Sequence, residues 1–145
     1  MYRRPEHGSR KKRQRKPAII LTRTDHERLY RLAEAHAGRN PDVSEELLIE
    51  LDRARIVHDA KIGANVARMG SWIRFTSDLG EDRSVTLVFP GEADIAANKI
   101  SILTPIGAAL IGLSTGQSID WVARDGRLHR LHVEEVASPE VVDPA

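Results

Sequence analysis

The sequence predicts an α+β protein: an N-terminal antiparallel helical hairpin, read as a short coiled coil, followed by an antiparallel sheet with one short helix. Three observations carry this reading. Apolar residues recur at helical spacing between positions 24 and 58, the apolar period shifts towards two from Ser71 onward, and proline and glycine fall where elements should end.

The first 16 residues stand apart. They hold eight Lys or Arg (Arg3, Arg4, Arg10, Lys11, Lys12, Arg13, Arg15 and Lys16) against Glu6, a formal charge of +7. The remaining chain keeps 14 basic and 20 acidic residues, a charge of −6, so the overall +1 hides a basic arm on an acidic body. The arm has almost no apolar residue to bury, and disorder is its expected state. Its charge suits non-specific contact with nucleic acid, and only Tyr2 could stack on a base.

Ile19, Ile20 and Leu21 predict a short strand. Thr24 with Glu27 three residues later reads as a capping box, after which Leu29, Leu32, Ala33 and His36 form one helical stripe. Gly38 suits a C-terminal cap, and Pro41 cannot continue that helix. A second box, Asp42 with Glu45, opens a stripe of Val43, Leu47, Leu51, Ala54 and His58. Two helices of about 15 residues, each roughly 20 Å long, make a stubby hairpin.

"KIGANVARMG" has weak periodicity and reads as a linker. "WIRFTSD" and "SVTLVFP" are strands around a turn at "LGED", and "KISILTP" is a third strand. "IGAALIGL" holds one or two helical turns. "GQSIDWVA" and "LHRLHVEEV" are further strands joined through Asp125-Gly126. The expected organisation is an arm over 1–16, a strand and hairpin over 17–60, a linker over 61–70, a sheet domain over 71–138 and a flexible tail over 139–145.

Composition narrows the chemistry. There is no cysteine, so disulfides, thiolate catalysis and Cys-ligated zinc are all excluded. With aromatic residues at 4%, the core must be mainly aliphatic. His26, His36 and His58 lack metalloprotease spacing, and His129 and His132 should face opposite sides of one strand. No phosphate-binding glycine loop or serine elbow occurs. Neither an export signal nor a membrane-length apolar run is present, so a cytoplasmic protein with no membrane partner is expected.

The stretch "TPIGAALIGLSTGQSIDW", with "LVFPGEADIAANKISIL" before it and "RLHRLHVEEV" after it, resembles the C-terminal domain of the bacterial Gre transcript-cleavage factors and their relatives. The residues that carry the motif are Pro105, Gly107, Ala108, Ala109, Leu110 and Gly112. Gre factors usually have a basic residue near Ala108 or Ala109, which this chain lacks; with "LLIELDRARIV" it is more similar to the Rnk-like branch. The resemblance covers about residues 17 to 137 and implies an FKBP-like sheet packed on a short helix. Trp72, Phe75, Phe89 and Trp121 do not match a prolyl-isomerase pocket, and four rings are what the core itself would use.

The partner implied is RNA polymerase, with the sheet domain at the rim of the secondary channel and the hairpin pointing into it. Arg39, Asn40, Asp42, Glu45 and Glu46 mark the tip and are the candidate polymerase contacts. Gre factors carry two acidic tip residues that help hold a metal ion at the polymerase's own centre. Here the longer tip motif is missing, and helix capping accounts for Asp42 and Glu45. The expected function is a non-enzymatic regulator that competes with Gre factors, with no catalytic residue, metal, cofactor or small-molecule substrate of its own. A true cleavage factor and a nucleic-acid-binding module driven by Arg10, Lys11, Lys12, Arg13, Arg15 and Lys16 are the alternatives.

Overall fold

The computed structural model describes residues 16–122 and 125–139. The chain enters through β1 (Ile20–Thr22), which runs directly into α1 (Arg23–Ala35). A five-residue turn over 36–40 leads to α2 (Pro41–Arg53), and β2 (Arg55–Val57) follows. The strand that precedes α1 therefore lies parallel to the one that follows α2, with Leu21 opposite Ile56. This pair clamps the base of the hairpin. Its second strand was not foreseen: residues 54–58 leave the helix and extend, so Ala54 and His58 are not part of the α2 stripe.

Each helix spans 13 residues, shorter than the predicted 15. Neither predicted capping box forms. Thr22 caps α1, because the chain is still extended there and its hydroxyl accepts from the Asp25 amide at 3.0 Å. Thr24 lies inside the first turn, where its amide donates to Asp59 from beyond β2. Asn40 stands at the N-cap of α2 without a side-chain bond, and Pro41 opens the helix with its fixed φ. Asp42 is thus two positions past the N-cap, and acts only on the helix dipole. His36, not Gly38, closes α1 by donating its amide to Leu32.

The second half is built on strands β3 (Trp72–Ser77), β4 (Asp82–Val88), β5 (Lys99–Ser101), β6 (Ser118–Val122) and β7 (Leu128–Ala137), with helix α3 (Pro105–Leu110) between β5 and β6. Their order in the sheet is β5-β4-β3-β7-β6. The sheet is mixed and not wholly antiparallel: β5 runs parallel to β4, with Leu87 opposite Ile100. Two one-turn 3-10 helices, Pro90–Glu92 and Ile95–Ala97, carry the chain back so that β5 starts beside the same end as β4.

Alternate residues of the strands face one core. Ile73 and Phe75, Val85 and Leu87, and Leu131 and Val133 are buried, whereas Trp72, Arg74 and Ser84 point the other way. The same hydrophobic cluster contains Leu29, Ala33, Leu47 and Leu51 from the hairpin and Ala108 to Ile111 around α3. Residues 66–69 join it: Val66, Ala67 and Met69 are buried, and Ala67 exchanges backbone hydrogen bonds with Leu113 and Gly112. Of the four rings, Phe75 is fully buried and Trp121 nearly so. Trp72 is exposed, and Phe89 lies half-buried beneath the Arg28 guanidinium at 4.3 Å.

Candidate functional site

The family-motif stretch is positioned by close packing. Thr104 caps α3, its hydroxyl accepting from the Gly107 amide at 3.1 Å, and Pro105 occupies the first helical position. A Cβ on Gly107 would overlap the Ser101 carbonyl oxygen. Ala108, Ala109 and Leu110 are buried behind it. Gly112 takes φ +81° and would drive a Cβ to 2.9 Å from the Ile19 side chain. Its carbonyl accepts from the Ile20 amide at 3.1 Å. The motif thereby holds the strand at the base of the hairpin.

The hairpin is fixed to the body from its other side by Asp25. This carboxylate is buried and accepts from the Met69 amide at 3.1 Å. Burial raises its pKa above the ordinary carboxylate value, while the Met69 amide and the nearby Arg68 and Arg28 charges oppose the rise. Sequence reading passed over Asp25, which looked like an ordinary first-turn acid on α1.

The tip candidates fall on the turn between the helices and the first turns of α2. Arg39 and Asn40 lie in the turn, Asp42 and Glu45 are exposed on the first turns of α2, and Glu46 is half-buried. Glu46 lines a groove between α2, α3 and β6, together with Lys16, Glu50, Pro105, Ala108 and Asp120 among others. Glu50, only 4% exposed, also lines that groove. It pairs with Lys16 at 2.5 Å and with Arg53 at 2.7 Å. Arg53 also donates to the Pro17 carbonyl, holding the incoming chain against α2. Of the predicted basic arm, only Lys16 is among the described residues; Arg10, Lys11, Lys12, Arg13 and Arg15 lie outside them.

A second buried polar group, His129, sits on β7 opposite Trp121 of the edge strand β6. It is 5% exposed, with Nε2 at 3.1 Å from Asp125, Nδ1 at 3.5 Å from Asp78 and its ring 5.4 Å from that of Trp121. Hydrogen bonds from the Arg127 amide and from His129 lower the pKa of Asp125. His132 faces the opposite side and pairs with Ser118 at 2.7 Å. Among the described residues, no cluster of three or more His, Asp or Glu is placed to hold a metal ion. No described helix is long and apolar enough to cross a membrane.

Comparison with known proteins accounts for both halves. Residues 62–138 match the family model described as "Transcription elongation factor, GreA/GreB, C-term", and residues 17–57 match "Rnk N-terminus". The regulator of nucleoside diphosphate kinase of Escherichia coli K12 is 36% identical over 123 residues, covering 83% of this chain and 90% of that protein. Transcription elongation factor GreA of Thermodesulfovibrio yellowstonii is 35% identical over 113 residues, 72% of each chain. A solved prokaryotic transcription elongation factor GreA/GreB from Nitrosomonas europaea is similar with TM-score 0.66 at 37% identity, over 84% of this chain and 99% of that one. A hairpin clamped to a mixed sheet through the "PIGAALIG" turn, matched over both halves, is therefore the architecture of a member of the GreA/GreB transcription elongation factor family, and this chain belongs to it within the group that carries the Rnk N-terminus.

Proposed function

We infer that the chain regulates transcription by docking on RNA polymerase at the rim of the secondary channel. The hairpin points inward, and the protein competes there with Gre factors without stimulating transcript cleavage. The observation that carries this reading is the disproportion between the two halves. The sheet domain follows the Gre family over 62–138, whereas each hairpin helix has only 13 residues and rises about 20 Å. Such a protein keeps a docking body and has a probe too short to work at a deeply buried centre. An acidic body with exposed Asp42 and Glu45 at the tip suits a basic surface on the partner. The basic arm can add non-specific contact with nucleic acid near the docked protein.

The test is binding of the purified chain to core RNA polymerase, with and without excess Gre factor. Binding that Gre factor displaces is the expected result. Binding that Gre factor leaves untouched would remove the shared site, and no binding at all would remove the partner.

One observation favours the cleavage-factor reading. Asp42 and Glu45 form no capping box, so the capping duty expected of them is absent and Asp42 keeps only its effect on the helix dipole. On that reading the chain stimulates cleavage in arrested complexes, and Asp42→Ala or Glu45→Ala abolishes it while polymerase binding and stability stay unchanged. The leading reading expects no cleavage with either the parent chain or the variants.

A further inference from the structure

The chain before β1 does not leave the protein freely. Traced backwards from Ile20, it follows α2 backwards as well. Ile20 lies beside Arg55, the Ile19 carbonyl accepts from the Arg55 amide, the Pro17 carbonyl accepts from Arg53, and Lys16 pairs with Glu50. Each step towards the N-terminus is a step towards the hairpin tip. At the last described residue, the ammonium group of Lys16 stands in the groove between α2, α3 and β6, paired with Glu50, with Glu46 and Asp120 also in the groove's lining.

The helix continues this pattern. Glu50, Glu46 and Asp42 follow one another at four-residue intervals, so they form one acidic stripe along the face that Lys16 has already engaged. From Glu50 back to Asp42 the helix rises about 12 Å. About four residues of extended chain cover that distance. The four residues that precede Lys16 are Lys12, Arg13, Gln14 and Arg15, three of them cationic. Chain direction, spacing and charge agree.

We propose that residues 10–15 of the basic arm dock in cis along the Glu50, Glu46 and Asp42 stripe of α2, extending the contact that Lys16 begins. The occupant of this acidic helix face is the chain's own arm. The docked arm covers the carboxylates that would otherwise face a partner. Its consequence for polymerase rests on the docking reading given above, but the contact itself does not.

The absence of cysteine allows a single spin label to be placed on the full chain by Ser9→Cys. Paramagnetic broadening of backbone amides is then read by NMR. Docking predicts strong broadening over 39–46 at the tip, little on the outer face of α1 at Glu27, Arg31 and Glu34, and loss of the tip signal near 1 M salt, where the Debye length is about 3 Å. The pair Asp42→Asn and Glu46→Gln, at exposed and half-exposed positions, should remove the tip broadening in the same way while the rest of the spectrum is kept. Broadening confined to the surroundings of Lys16 and Glu50, unaffected by salt or by the pair, would show a tethered arm with no docking and overturn the proposal. Broadening centred on another acidic region, or transferred to unlabelled chains in a mixture, would overturn it as well, by placing the arm elsewhere or in trans.

Discussion

Glycine shows at the residue scale how little space this fold leaves. Gly107 and Gly112 both lack room for a Cβ, but for different reasons: one abuts a backbone carbonyl, the other combines a positive φ with the Ile19 side chain. Gly116 has φ +92° and open space around it. Gly107→Ala should cost about 3 kcal/mol through overpacking against atoms that cannot move aside. Gly116→Ala should cost only the left-handed backbone penalty of about 1–2 kcal/mol. Gly112→Ala should exceed Gly116→Ala, because it adds a clash to the same backbone term. Urea unfolding of the three variants checks the order. Asp25 makes a second residue-scale case. Its raised pKa means the protonated carboxyl is favoured in the folded state, so its contribution is complete below the unfolded value near 3.8 and is lost as pH rises through the folded value. Asp25→Asn keeps an acceptor for the Met69 amide and removes the ionisation cost. Its stability at neutral pH should equal or exceed the parent's, with a flatter pH profile just above 3.8. Asp25→Ala leaves the Met69 amide without its acceptor and should cost about 1–3 kcal/mol.

At the scale of elements, the hairpin is fastened at its base more than along its length. The first amides of α1 are served by Thr22 from β1 and by Asp59 from beyond β2, so the helix start is assembled from both strands of the clamp. Hydrogen bonds from Thr24 hold Asp59 below the ordinary carboxylate range. Thr22→Ala should therefore lower stability by about 1 kcal/mol, the usual loss of an N-cap. Thr24→Ala, at an exposed position within the first turn, should lower it less. Thermal unfolding of the two variants compares them directly. The reverse order would restore Thr24 as the cap. The predicted boxes failed because a Ser, Thr or Asp three residues before a Glu is a local pattern. The true helix start is set by where the chain stops pairing as a strand.

For the molecule as a whole, the hairpin and the sheet share one hydrophobic cluster, in which Leu47 and Leu51 of α2 sit with Leu110, Ile111 and Phe75. A hairpin of this length has too few contacts of its own to be stable separately. Leu47→Ala should cost about 2–5 kcal/mol, and the loss should appear in the helical signal and in tryptophan fluorescence as a single shifted transition. A helical signal that melts before the tryptophan signal would mean that the hairpin unfolds alone. Sharing one core also fixes the hairpin relative to the sheet.

The sequence by itself determined the α+β class, the two helices, the strands from Trp72 onward and the short helix after Pro105. It also carried the family resemblance. These are legible because periodicity, proline and glycine act over a few neighbouring residues. The polar turn between the two apolar stripes was legible too, with Arg39 and Asn40 in it and Asp42, Glu45 and Glu46 on the helix that follows. Only the tertiary structure decided the parallel pairing of β1 with β2 and of β4 with β5, the Asp25 to Met69 bond, the burial of His129 and the Lys16 to Glu50 contact. Each of the two bonds joins residues more than 30 positions apart. A three-residue strand has no measurable period, and a buried carboxylate looks like any other until its partner arrives. Such pairs are chosen by the shape of the assembled core, a property no short stretch of chain contains.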